Sequence, residues 1–162
     1  MGISPHRAAR IIEELDPDDA ADLLAQLPAN DLRLIMDRIE DESGRVIEVL
    51  MTYDEDSAGG LMNPDVLSIP ADWTKRQAME EVIRISEEME TFYAIYVVDG
   101  EKRLMGVVPL KSLIRARPHI KMGDLVVDKL IKVQVETDQE EVAQTMLKYN
   151  LAAVPVVDLE NH

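Results

Sequence analysis

"KLIKVQVETDQEEVAQTMLKYNLAAVPVVD", residues 129–158, runs from a strand-like stretch through an acidic helix start to an apolar strand closed by Asp158. The chain contains the same order once before. "DVLSIPA" (65–71) matches "KLIKVQV" (129–135), "TKRQAMEEVIRISE" (74–87) matches "TDQEEVAQTMLKYN" (137–150), and "FYAIYVVD" (92–99) matches "LAAVPVVD" (151–158). Asp138 falls 64 residues after Thr74, whereas Asp158 falls 59 after Asp99, so the second copy is tighter between helix and strand. In the first copy Ala78, Val82, Ile85 and Met89 share one helical face behind Thr74, a residue type suited to the cap. "YAIYVVDG" (93–100) reads as a buried strand ending in an Asp-Gly turn, "RLMGVVPL" (103–110) as its partner, and "KSLIRAR" as a short helix stopped by Pro118. The second copy has no counterpart of "RLMGVVPLKSLI" after His162, which predicts that the chain is part of something longer.

Upstream the period changes. "IIEEL" (11–15), "LLAQL" (23–27), "LIMDRI" (34–39) and "VIEVL" (46–50) place Leu15, Leu27, Ile39 and Leu50 about a dozen residues apart. Breaks at "DPDD" and "PAND" separate them, with Pro17 suited to a first helical turn. Short helices repeated in this way cannot bury their faces alone and stack into a small superhelix. The expected class is therefore α+β: a helical repeat over 1–56, a linker and first β-α-β-β-α unit over 57–123, and an incomplete second unit over 124–162. At the junction, "YDEDSAGGLM" (53–62) reads as a hinge, with Gly59 and Gly60 supplying backbone freedom. It does not read as a phosphate cradle, because the glycines follow acids and lead into a strand-bound "LMNPD" rather than a helix start.

Composition narrows function. The chain carries 32 Asp and Glu against 17 Lys and Arg, a formal charge of −15, which argues against nucleic-acid binding. Cysteine is absent, removing disulfides and thiolate chemistry. No run approaches the ~20 apolar residues that span a bilayer, and no signal peptide is visible, so a cytosolic piece is expected. His6, His119 and His162 are scattered, and neither G-x-S-x-G nor a phosphate loop is present, so no enzyme is read here. The methionines fall mostly on apolar faces and read as core filler. Asp18, Asp19 and Asp22 have two readings, as first-turn acids favoured by the helix dipole or as oxygen ligands. Asp138, Glu140 and Glu141 likewise suit a helix cap, on Thr137 or Asp138, as well as a cation. Glu13 and Glu14 read as solvated surface.

The doubled unit with its "VVD" and "GVV" strands resembles a tandem CBS pair, a regulatory module that binds nucleotides or ions. "LDPDDAADLL", "YDEDSAGGLMNPD" and "TDQEEVAQTMLKYNLAAVPVVD" together resemble the cytosolic region of the MgtE-type magnesium transporter family over nearly the whole chain. That resemblance implies a Mg2+-sensing region on the cytoplasmic side of the membrane, homodimeric through its CBS domains and joined to a C-terminal membrane domain. It implies Mg2+ sites on Asp18, Asp19 and Asp22, on the Gly60 carbonyl, and on Asp138 and Glu140, favouring a closed pore. Asn150 stands where the family commonly has an acid, so a site there is expected to be weaker. Some members bind ATP after the "GVV" strand, where this chain has Lys111 and Ser112, with Tyr93 and Tyr96 able to stack a base. The competing readings are an adenine-nucleotide-sensing CBS module of another protein and a helical scaffold without a ligand.

Overall fold

Four helices open the chain: α1 (Pro5–Ile12), α2 (Pro17–Ala25), α3 (Ala29–Met36) and α4 (Asp41–Leu50). The computed structural model describes residues 3–85, 94–127 and 129–162. Met89 and Tyr93 lie outside them. Each helix starts after one extended residue, at positions 4, 16, 28 and 40, with ψ of 145°, 143°, 142° and 143°. The twelve-residue spacing therefore lies in the helix starts. Pro5 and Pro17 take first-turn positions whose N–H groups need no helical partner. α1 packs on α3 and α2 on α4, the stacking expected of a short superhelix. Their core is Ala9, Ile12, Ala20, Ala21, Leu24, Ile35, Ile39, Ile47 and Leu50.

One reading of this half is corrected. Leu15 lies beyond the end of α1 and is 37% exposed, so it does not join Ile39 and Leu50 in the core. Glu13 is exposed, as expected of a surface residue, and its Oε1 also accepts the Glu40 N–H at 3.0 Å, pairing the end of α1 with the start of α4.

After the one-turn α5 (Ala58–Leu61), the remaining chain is α+β. β1 (Ser68–Pro70) pairs parallel with β2 (Ile95–Val98), which pairs antiparallel with β3 (Leu104–Val108). α6 (Lys75–Ile85) starts in a capping box: Thr74 Oγ1 accepts the Gln77 N–H while Gln77 Oε1 accepts the Thr74 N–H at 2.9 Å. α7 (Leu110–Arg115) follows β3. In the second copy β4 (Val133–Gln134) pairs parallel with β5 (Val156–Val157) around α8 (Gln139–Tyr149). Ile69 faces Val97 in the first copy, and Val133 faces Val156 in the second, so the repeat holds at the level of register. The turns repeat as well. Asp99 Oδ1 accepts the N–H groups of Glu101 and Arg103, and Asp158 Oδ1 those of Glu160 and His162. Lys102 and Asn161 take the left-handed conformation at matching positions. The core here is Leu67, Ile69, Ala78, Val82, Ile95, Val97, Val108, Leu113 and Met122. Met122 and the partly buried Met79 suit core filling, whereas Met105 is half exposed.

The chain divides into two compact units. One is Met1–Pro64 with Val135–Val142, the other Asp65–Gln134 with Ala143–His162. No described helix is long and apolar enough to cross a membrane.

Candidate cation site

Asp18 and Asp19 occupy the first turn of α2, with Asp22 one turn further on the Asp18 face. Asp16 precedes the helix, but its side chain makes no capping bond. Asp18 is half-buried, and its Oδ1 is enclosed without a hydrogen-bond partner. Burial pushes the Asp18 carboxyl above the usual carboxylate range, while the Asp18 and Asp19 N–H groups pull it down and the Asp19 and Asp16 charges add to the rise. An enclosed carboxylate oxygen without a donor is what a hard cation or a proton satisfies.

The second locus lies in the same unit, where a strap formed by residues 54–60 meets the start of α8. Ala58 and Gly59 donate N–H bonds to the carbonyls of Thr137 and Val135, at 2.7 and 2.8 Å. Gln139 returns its N–H to the Asp56 carbonyl at 2.9 Å, and Ser57 bridges Asp138. Asp138 meets the start of α8 by accepting the Glu140 N–H on Oδ1 at 2.8 Å. Glu140 is exposed in the first turn of α8. Gly59 and Gly60 do stand at a helix start, contrary to the sequence expectation: they lie in α5 behind Ser57, whose Oγ accepts the Gly60 N–H at 3.3 Å and donates to the Asp54 carbonyl at 2.7 Å.

The hinge reading of Gly59 and Gly60 is corrected by this geometry. Neither has positive φ, and both are buried. A Cβ on Gly59 would stand 2.6 Å from the Tyr53 ring, and one on Gly60 2.3 Å from the Asp54 carbonyl oxygen. The glycines serve close approach, not freedom.

The strap thus brings Gly60 and Asp138 onto one hydrogen-bonded frame, and α2 brings the three aspartates onto one helix. The six residues do not form a single cage. Among the described residues, three acid or imidazole ligand atoms lie within 4.8 Å of one another at Asp158, Glu160 and His162. That group is the second copy of the Asp99 turn, in which Arg103 takes the place of His162. The His162 N–H, aided by its ring, holds the Asp158 carboxyl below the usual range.

The sequence places Asp56 and Ser57 only within the junction stretch, and it gives no sign of their partner Gln139. The repeat does not mark these side chains: the 64-residue match of "AGGLMNPDVLSI" (58–69) with "MGDLVVDKLIKV" (122–133) begins after Ser57, and Ile120 and Lys121 stand opposite Asp56 and Ser57.

Stacked short helices followed by two β-α-β units, with acids in the first turns of α2 and α8, define an α+β chain of a helical repeat and a doubled unit. Residues 2–56 match the family described as the MgtE intracellular N domain, and 58–119 and 122–162 match the CBS domain. The chain belongs to the MgtE family. The magnesium transporter MgtE of Thermus thermophilus is 37% identical over 88% of this chain and 32% of its own length. The protein of the same name in Bacillus subtilis is 30% identical over 96% of the chain and 34% of its own length. The chain thus spans about a third of these relatives. The crystal structure of the soluble part of a magnesium transporter superposes with a TM-score of 0.91 at 35% identity, over 99% of this chain and 62% of that one. The cytosolic domain of the Mg2+ channel MgtE in complex with ATP gives 0.89 at 38% identity, over 99% and 66%.

Proposed function

We propose that the chain is the Mg2+-sensing cytosolic region of a magnesium transporter, on the cytoplasmic side of the membrane. In this reading residues 1–56 form the N domain, 57–123 the linker and first CBS domain, and 124–162 the second. The observation that carries it is the enclosed, unpartnered Oδ1 of Asp18 in an acidic first turn. The donor set fits a hard cation, being carboxylates and a carbonyl without nitrogen or sulfur. Asp18, Asp19 and Asp22 would hold Mg2+ at one locus, and the Gly60 carbonyl, Asp138 and Glu140 at the other. Bound Mg2+ supplies positive charge that offsets carboxylate repulsion while keeping several of its waters. The chain's own part is to place the acids: α2 spaces three of them, and the strap fixes the frame of Asp138. A ligand that favours one state shifts the population toward it, and here the favoured state is the compact one that closes the pore of a C-terminal membrane domain. Homodimerisation through the CBS domains accords with the exposed apolar residues Leu110 and Ile114 on α7 and Leu147 on α8.

Titrating Mg2+ against limited proteolysis of this chain is expected to give saturable protection in the millimolar range. Unchanged cleavage up to several tens of millimolar would refute the sensing role.

A second reading, ATP binding, is favoured by a cavity of about 410 Å³ lined by Lys111, Ser112, Arg115, Ala116 and Leu125. Two cations and a hydroxyl suit phosphate oxygens. Half-buried Tyr96, whose hydroxyl burial pushes up, sits on β2 of the same unit. Calorimetry with ATP should show binding that Lys111→Ala weakens by about five-fold or more. Equal binding by the variant would place the nucleotide elsewhere.

A further inference from the structure

The strap that meets α8 has a twin. Met122 and Gly123 donate N–H bonds to the carbonyls of Trp73 and Ala71, at 2.8 and 3.0 Å, and Lys75 returns its N–H to Ile120 at 2.8 Å. An antiparallel bridge joins Lys121 to Thr74. Every one of these positions lies 64 residues from its counterpart in the first strap, with the donors and acceptors unchanged. The backbone ladder is therefore a property of the repeat, and it forms whether or not the helix start carries acids.

The side chains on the two ladders differ. On the acid-bearing one, Gln139 Nε2 donates to Asp56 Oδ1, and Ser57 Oγ ties the Asp54 carbonyl to the Gly60 N–H. At 7% exposure Ser57 is the buried polar side chain among the described residues. On the twin, Ile120 and Lys121 stand at the positions of Asp56 and Ser57, and neither side chain offers an acceptor. The helix start it holds carries Thr74 and Arg76 where the other carries Asp138 and Glu140. Additional side-chain bracing thus coincides with the acids.

We propose that Asp56, Ser57 and Gln139 are positioning residues for the cation site of Asp138, Glu140 and Gly60. This inference rests on the Mg2+-sensing reading above. They act through the strap: the Asp56–Gln139 bond fixes the first residue of α8 beside Asp138, and the Ser57 hydroxyl fixes the peptide leading to Gly60. Partners of this outer kind orient ligands without touching the ion.

The test uses Gln139→Met, which removes the donor without changing charge at an exposed position, together with Ser57→Ala and the conservative Ser57→Thr. The readouts are the Mg2+ midpoint of protease protection and the unfolding temperature in chelator. Gln139→Met and Ser57→Ala are expected to raise the midpoint about three-fold or more, and Ser57→Thr is expected to restore it. Gln139→Met should leave the chelator unfolding temperature near the parent's. A parent that responds to Mg2+ with a Gln139→Met midpoint equal to its own overturns the positioning role. So does a midpoint shift accompanied by an equivalent loss of ion-free stability, which would make the brace merely structural. A parent that ignores Mg2+ overturns the sensing reading itself.

Discussion

Gly60→Ala is expected to destabilise the first unit by about 3 kcal/mol, the scale of a core clash that has no flexible neighbour to give way. The added Cβ would lie 2.3 Å from the Asp54 carbonyl oxygen and 3.1 Å from both the Asp54 carbonyl carbon and the Glu55 Cα. All three are main-chain atoms, so relief requires the strap to move. Movement there strains the Ser57 hydroxyl, which bonds to the Asp54 carbonyl and the Gly60 N–H together. Left-handed strain plays no part, since Gly60 has negative φ. Gly44 in α4 is the control, because its Cβ would meet nothing closer than Ile39 and Met36 methyl groups at 3.9 Å. There alanine should stabilise by about 0.5–1 kcal/mol through helix propensity and a less flexible unfolded chain. Denaturant melts of both variants against the parent decide the matter. A Gly60→Ala midpoint close to the parent's would show that the close approach is unimportant.

The Gly-Gly pair also shows where sequence reading stops. Glycine answers two needs, unusual φ and the absence of a Cβ, and a sequence does not distinguish them. Only the neighbouring Tyr53 ring and Asp54 carbonyl reveal that the second need applies. The twelve-residue period and the α+β repeat were legible because they are written in side-chain type: Pro17, the apolar segments, and "VVD" twice. Leu15 misled because periodicity marks apolar residues without saying where a helix ends, and α1 stops at Ile12. The Thr74 cap was legible from Thr-x-x-Gln, whereas the role of Glu13 was not. Its partner is a main-chain N–H 27 positions away, which leaves no mark on residue choice. The straps were missed for the same reason, since their ladders are main chain to main chain. The acids themselves stood out at once. Which of them the fold encloses did not: Asp18 and Asp19 are adjacent and chemically alike, and only Asp18 has an oxygen sealed from solvent without a partner.

That difference makes Asp18→Asn the most discriminating substitution. Burial raises the Asp18 carboxyl, so the folded chain binds its proton more tightly than the unfolded chain does. Stability from this group is accordingly greatest at low pH and is lost as pH rises from the ordinary carboxylate value through the raised folded value. Asparagine has the same shape and no charge to desolvate. In chelator at neutral pH the variant should therefore be more stable than the parent, and the difference should close as pH falls below about 4, where both side chains are neutral. If Asp18 were only a first-turn acid matched to the helix dipole, the sign would reverse, and asparagine would cost about 0.3–1 kcal/mol. The Mg2+ titration supplies the second half. Removing a ligand carboxylate should raise the midpoint of protection about ten-fold, which corresponds to about 1.4 kcal/mol. The expected signature is thus a variant that gains ion-free stability while losing its response to Mg2+. A dipole role predicts loss of stability with the response intact, and a purely burial effect predicts the gain with an unchanged midpoint. Thermal melts in chelator at pH 4 and pH 7, together with one Mg2+ series, separate the three outcomes.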